Sequence, residues 1–485
     1  MGAGDKHNEN SYRSILKGTS IFGSVQVFQI LINLIRGKFV AMFLGPQGMG
    51  IASLFTSSSN TISNMATLGL NLAFVKEVAA NKKDPHGLAT VMRVAGLLLQ
   101  ATGLLGAVAC ALLSPWLSLW SFGSSEYAWQ YLLLSVAIYF TVAGFGKAAL
   151  LQGLHKVKVL SMASLAGALS GLLAGVPLYY FFGTLGIVPA MIVLAVTGYV
   201  CYSYGLNKAM PKKTMRFIWQ SHKSMVKRML AMGMILLASS MINTLCAYLI
   251  NIFIRTYGDM TDVGLFNAAN SITLQYAGVV FTAMAMDYFP RLTAAADDNQ
   301  KMRTIINRQM EIVALIATPL CILLVATAPI VIDLLLTGEF MPAMPLMRWL
   351  GLGILLKAIA YPLGYITFAK DNQRLFFWLE AIVCNVLYIA LSLIFYYRFG
   401  LIGLGYAAVL EQGCCILLYL AVNFKIYGFY PNRQATAETV LAVIFGVAAF
   451  CASFDEIKAL SYYLMAALFL VCALRSFYTL RKLIR

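Results

Sequence analysis

Apolar runs long enough to cross a bilayer follow one another almost without pause along the chain. A transmembrane helix takes about 20 apolar residues, and runs of that order are read at 18–44, 49–75, 89–113, 130–152, 159–182, 185–206, 229–254, 264–289, 309–336, 346–369, 375–397, 402–425, 436–453 and 459–479. Polar and basic residues concentrate between the runs, and none of the intervening loops is long enough to hold a soluble domain. The pattern predicts an all-α membrane protein of about fourteen transmembrane helices. Residues 1–18 are polar and the first apolar run is too long for a signal-peptide core, so this segment is expected to stay on the protein.

Composition agrees: 60% of the 485 residues are hydrophobic and 11% charged, against roughly 25% charged in soluble domains. The net charge of +17 is explained by topology. With both ends cytoplasmic, 29 Lys and Arg residues fall on the inner side and four, Arg255, Arg348, Arg398 and Lys458, on the outer side. That asymmetry obeys the positive-inside rule. It points to anionic membrane lipids as partners and does not argue for nucleic acid. Trp116, Trp120, Trp129 and Trp349 fall near the predicted outer interface, and Trp219 and Trp378 near the inner one, as in an aromatic belt. The nine cysteines lie inside apolar runs at spacings that fit no zinc motif; they read as small core or lipid-facing residues, and no metal or cofactor is expected.

A repeat of about 215 residues runs through the chain. Phe43–Gly50 corresponds to Tyr257–Gly264, Arg93 to Arg308, and Tyr179–Gly186 to Tyr396–Gly403. Six runs separate the matches, so the two copies have the same orientation. This predicts an N-terminal six-helix bundle (1–206), a basic cytoplasmic linker (207–228), a second six-helix bundle (229–426) related to the first by a pseudo-two-fold axis along the membrane normal, and two added helices (427–485).

The second and eighth runs are unusually polar. The second carries Thr56, Ser57, Ser58, Ser59, Asn60, Thr61, Ser63 and Asn64; the eighth carries Asn267, Asn270, Ser271, Thr273 and Gln275. Such residues either join helices or line a wet cavity suited to sugars. Charges inside spans are costly and usually functional. Arg36, Lys38 and Lys357 lie within runs and Arg255 at the end of one, so they are candidates for an anionic substrate, with snorkelling to the interface the other reading of Arg255. Glu411 is the deepest acid, with Asp287 and Glu380 nearer the ends; these three are candidates for ion coupling or ion pairing. All four histidines lie in predicted cytoplasmic segments, and the chain holds no nucleotide-cradling GxxxxGK[ST]. No catalytic constellation appears, and an enzyme is not expected.

Several segments resemble polysaccharide flippases of the multidrug/oligosaccharidyl-lipid/polysaccharide exporter superfamily, especially the Wzx-type O-antigen and enterobacterial common antigen (lipid III) translocases. They are Ser14–Ser20, Gly45-Pro46-x-Gly48-x-Gly50, Val75–Ala79, Leu336–Phe340, Leu356-Lys357, Gly364-Tyr365, Ala369-Lys370 and Glu380. The resemblance spans the first twelve runs; the last two depart from the common twelve-helix pattern. It implies an undecaprenyl-diphosphate-linked oligosaccharide, such as an O-antigen repeat unit, carried from the cytoplasmic to the periplasmic leaflet of a bacterial inner membrane by alternating access. It also implies polysaccharide assembly proteins as partners. A lipid II flippase and a multidrug exporter of the same superfamily remain alternatives, although an exporter of cations would want acids where Arg36 and Lys38 stand.

Overall fold

The computed structural model describes residues 3–81, 84–209, 219–454 and 458–484. The regular elements among them are helical, and a helix occupies each expected run. Ten described segments are long and apolar enough to cross a membrane. Two of these, Phe28–Thr67 and Val157–Lys208, are 40 and 52 residues long and contain a break. The long helices α8 (Trp219–Tyr257) and α9 (Met260–Ala294), of 39 and 35 residues, come in addition to the ten. The chain is a multi-pass membrane protein. Of the basic linker expected at 207–228, residues 210–218 lie outside the described residues, and 219–228 already belong to the long helix α8.

The chain divides into two compact units, Met1–Thr256 and Tyr257–Arg485. The first contains α1 (Ala3–Thr67), α2 (Leu70–Ala80), α3 (Pro85–Leu112), the short α4 (Ser114–Phe122), α5 (Ala128–Gly153), α6 (Val157–Phe182), α7 (Ile187–Ala209) and α8. α1 breaks at Gly45, whose φ of 62° and ψ of −172° suit only glycine. Pro46 then opens the next helical stretch, where its missing N–H is harmless. This is the break expected between the first two runs. A second break was not expected. Leu68 and Gly69 both take positive φ, 49° and 65°, and divide the run read as continuous over 49–75.

That second break is held by α8. A Cβ at Gly69 would strike the carbonyl oxygen of Gly233, and a Cβ at Gly233 would strike that of Leu68. Two backbones therefore touch where neither residue has a side chain. Farther along α8, Thr61 Oγ1 donates to the Thr244 carbonyl at 3.3 Å and Asn251 Nδ2 to Ser57 Oγ at 2.7 Å. These contacts group α8 with the first unit. The boundary between the compact units accordingly lies at 256/257.

The second unit contains α9, α10 (Asn299–Leu335), α11 (Met344–Ala369), α12 (Gln373–Phe376), α13 (Asn385–Phe399), α14 (Leu401–Tyr427), α15 (Arg433–Ala452) and α16 (Lys458–Ile484). A π-helical stretch, Phe377–Cys384, joins α12 to α13. The two added helices are fastened to the rest by directional bonds. Ser476 Oγ donates to the Leu315 carbonyl at 2.7 Å, Arg348 Nη1 to that of Ser453 at 2.7 Å, and the Asn432 N–H to Asn307 Oδ1 at 2.9 Å. Arg475 forms a two-pronged ion pair with Glu438, both contacts at 2.6 Å.

Local geometry repeats with the sequence. His155 and Asp371, 216 positions apart, are non-glycine residues at φ 55° in the turns after α5 and α11. Around them the Lys156 and Asn372 N–H groups reach back to the carbonyls of Leu151 and Thr367. Gly183 and Gly400, 217 positions apart, close α6 and α13 with φ 55° and 62°, and their N–H groups bond to Tyr179 and Tyr396. The same turns recur at the same places in both halves of the sequence.

Candidate functional site

In the first unit, the hydroxyl-rich stretch of α1 separates into two faces. On the packed face, Ser58, Ser59, Thr61 and Ser63 are buried. Tyr131 donates to Ser58 Oγ at 3.1 Å and bonds to Ser121 Oγ at 2.7 Å, and Ser121 also bonds to the Tyr248 hydroxyl at 2.5 Å. Together with the Ser57–Asn251 bond, this network joins α1, α4, α5 and α8, as polar residues do inside membranes. On the other face, Thr56 and Asn60 are exposed and Asn64 half-buried. Spaced by four, they form one stripe along the helix. Of the expected sugar-binding groups, Asn60 and Asn64 are therefore separate from the structural network.

The basic residues differ in their surroundings. Arg36 and Lys38 are half-buried in α1, and Arg36 lies within electrostatic reach of Tyr179. Arg255 ends α8, where Nε and Nη2 donate to the Ser121 and Trp120 carbonyls, each at 2.9 Å. These carbonyls close α4, where the helix dipole favours a cation. The observed partners of Arg255 are thus backbone groups, which the sequence could not indicate.

In the second unit, Asn267, Asn270 and Ser271 lie half-buried on α9, and Asn267 Nδ2 donates to the Val263 carbonyl at 2.8 Å. Gln275 Oε1 is buried with no hydrogen-bond partner. Asp287 lies outside the described side chains. Lys357 is exposed on α11, within electrostatic reach of the buried Glu411 on α14. Glu411 is ten residues into its helix, about 15 Å along the axis.

Glu411 belongs to a chain of polar groups. It accepts from Gln412 Nε2 at 2.6 Å and from Cys415 Sγ at 3.2 Å. Cys415 Sγ lies 2.9 Å from Cys384 Sγ, which is 3.4 Å from the Tyr419 hydroxyl; Tyr419 in turn donates to Glu380. Glu411, Cys415 and Tyr419 recur every four residues on one face of α14. Cys384 and Glu380 belong to the π-helical stretch, a departure from regular helix frequent at functional sites. The structure therefore brings Glu411 and Glu380 into one cluster, with Lys357 within electrostatic reach of Glu411, and adds two cysteines and a tyrosine that the amino-acid pattern had not singled out. Glu411 and Cys415 are four residues apart, but Cys384 is 31 positions from Cys415, and no spacing rule connects them.

Residues 39–345 match the family described as polysaccharide biosynthesis protein. The lipid III flippase of Escherichia coli (strain K12) is 22% identical over 384 residues, covering 76% of this chain and 88% of that protein, and its Shigella flexneri counterpart matches to the same extent. Among solved structures, the lipid II flippase MurJ in an inward closed conformation superposes with a TM-score of 0.71 at 15% identity, over 96% of this chain and 99% of that one. An inward-facing multidrug resistance MATE family transporter of the MOP superfamily gives 0.70 at 18% identity, over 84% and 98%. With well over half of its length matched, the chain belongs to the polysaccharide biosynthesis protein family, built on the fold of the MOP superfamily.

Proposed function

We propose that this protein is a flippase for a lipid-linked oligosaccharide. It carries a polyprenyl-diphosphate-bound repeat unit, of the O-antigen or enterobacterial common antigen type, from the cytoplasmic to the periplasmic leaflet of a bacterial inner membrane by alternating access. The observation that carries the reading is the alignment with a lipid III flippase over most of both chains. The residue chemistry supports it. The Thr56–Asn60–Asn64 stripe offers hydroxyl and amide groups for sugars, and Asn267, Asn270 and Gln275 offer the same on α9. Arg36, Lys38 and Lys357 offer donors for phosphate oxygens. Glu411, Glu380 and Asp287 are the acids available for coupling.

The positive-inside pattern supports a topology with both termini in the cytoplasm. Reporter fusions at Gly2 and Arg485 should both read cytoplasmic; a periplasmic reading at either end would break the topology. Function is tested by depleting the protein in its native host. Lipid-linked oligosaccharide should then accumulate in the inner leaflet, and polymer assembly outside should stop. Normal surface polysaccharide with no accumulated intermediate would refute the reading. The lipid II alternative predicts a different outcome, loss of peptidoglycan precursor export and cell lysis.

A further inference from the structure

The Sγ atoms of Cys384 and Cys415 and a carboxylate oxygen of Glu411 all lie within 4.8 Å of one another, and all three residues are buried. We propose that they form a binding site for a thiophilic divalent cation of the zinc class, joining α14 to the π-helical stretch.

The donor set selects this chemistry. Two thiolates and a carboxylate suit zinc or cadmium, whereas magnesium and calcium prefer all-oxygen sites. Zinc takes four ligands in a tetrahedron with zinc–sulfur distances of about 2.3 Å, so it needs its two sulfurs roughly 3.8 Å apart. The pair stands at 2.9 Å, and binding must spread it by about an ångström. Cys384, at the end of the wide π-helical turn, is the ligand placed to give way. The surrounding groups fit ligand roles. Glu411 and Cys415 are already oriented toward each other at 3.2 Å. Gln412 lies against Glu411 and offers an amide oxygen for the fourth position, which water could also fill. Tyr419 contacts Cys384 at 3.4 Å and is itself hydrogen-bonded to Glu380; such outer partners orient metal ligands.

Binding releases one proton from each thiol, so affinity rises with pH. The incoming cation competes with Lys357 for the field of Glu411. Binding rests on the geometry alone. A consequence for transport rests also on the proposed function: a cation that ties α14 to the π-helical stretch should slow flipping.

The test uses the full-length, reduced protein in detergent, with the less buried Cys201, Cys414 and Cys451 replaced by alanine. Titration with Cd²⁺ should produce cadmium–thiolate charge-transfer absorption that saturates at one ion per chain, and Zn²⁺ should abolish it by displacement. Cys384→Ala and Cys415→Ala should each remove the saturable signal, and Glu411→Gln should weaken binding at least about tenfold. Because a variant could fail to fold, thiol alkylation of the unsubstituted protein, mapped by mass spectrometry, gives a second readout: Zn²⁺ should shield Cys384 and Cys415 together. Absence of saturable absorption, its survival in the Cys384→Ala/Cys415→Ala double variant, or equal labelling with and without Zn²⁺ would overturn the site. Saturable binding that leaves flipping unchanged would retain the site and overturn only its effect on transport.

Discussion

Replacing Gly233 with leucine is expected to strip the membrane of folded protein. The α-carbon of Gly233 lies against the Leu68–Gly69 backbone, and a β-carbon at either glycine would strike a carbonyl oxygen. Backbone cannot move aside as a flexible side chain can. Added methylenes in a packed interior cost about 1–3 kcal/mol, occasionally more. Here the push would also disturb two residues already at positive φ. Gly233→Ala should therefore lose about 1–3 kcal/mol, and Gly233→Leu more than that. Since total stabilities are only about 5–15 kcal/mol, steady-state abundance should fall several-fold or further. Thermal unfolding of the detergent-purified alanine variant, with immunoblotting of the leucine variant, measures this. Wild-type melting of the alanine variant together with wild-type abundance of the leucine variant would mean that α8 is not held to the α1–α2 break in the way described.

The second large effect concerns the basic residues. Arg36→Ala, Lys38→Ala and Lys357→Ala should each slow flipping about 10- to 100-fold at near-normal abundance, the loss expected from removing a charge-assisted hydrogen bond of about 1.5–3 kcal/mol. Arg255→Ala should behave differently, because its two observed bonds go to the carbonyls that close α4. It should lower the melting temperature, with transport falling only in proportion to the protein lost. Wild-type rates in all three of the first group would remove the case for a cationic substrate site. A specific transport defect in Arg255→Ala with unchanged stability would return that residue to the substrate path.

The contrast between these residues shows what the amino-acid order discloses. Apolar run length determines where helices form, so the run at 89–113 became Pro85–Leu112 and that at 402–425 became Leu401–Tyr427. Gly45-Pro46 marked its own break because both residues act locally, through φ and a missing N–H. Leu68–Gly69 gave no such signal: the partner that makes a left-handed pair tolerable is Gly233, some 165 residues later. The grouping of α8 with the first unit was hidden for the same reason, as it depends on Ser57, Thr61 and Ser121 meeting Asn251, Thr244 and Tyr248. At the candidate site the depth of Glu411 was legible from its position in an apolar run. Its neighbours Cys384 and Tyr419 were not, because a π-helical turn and a helix face bring them together. The hydroxyls of α1 were visible as a group, but only packing separates Ser58 and Thr61, which join helices, from Asn60, which is left exposed.

Glu411 also bears on the driving force. The substrate of the proposed function, a diphosphate, carries about two negative charges, and moving each outward down an inside-negative potential gains roughly 2.3 kcal/mol per 100 mV. Provided the site cations return without full compensation, the potential is the proposed drive, and Glu411→Gln should then keep part of its transport.

The central claim is tested most directly with purified protein in proteoliposomes carrying a fluorescent undecaprenyl-diphosphate-linked oligosaccharide. Label exposed at the outer surface is destroyed by a membrane-impermeant reductant. The account predicts that the protein exchanges the labelled lipid between leaflets far faster than protein-free vesicles, and that collapsing an imposed membrane potential slows net transfer. Protein-free rates in vesicles where the same preparation extrudes an organic cation would contradict it and identify a multidrug exporter instead.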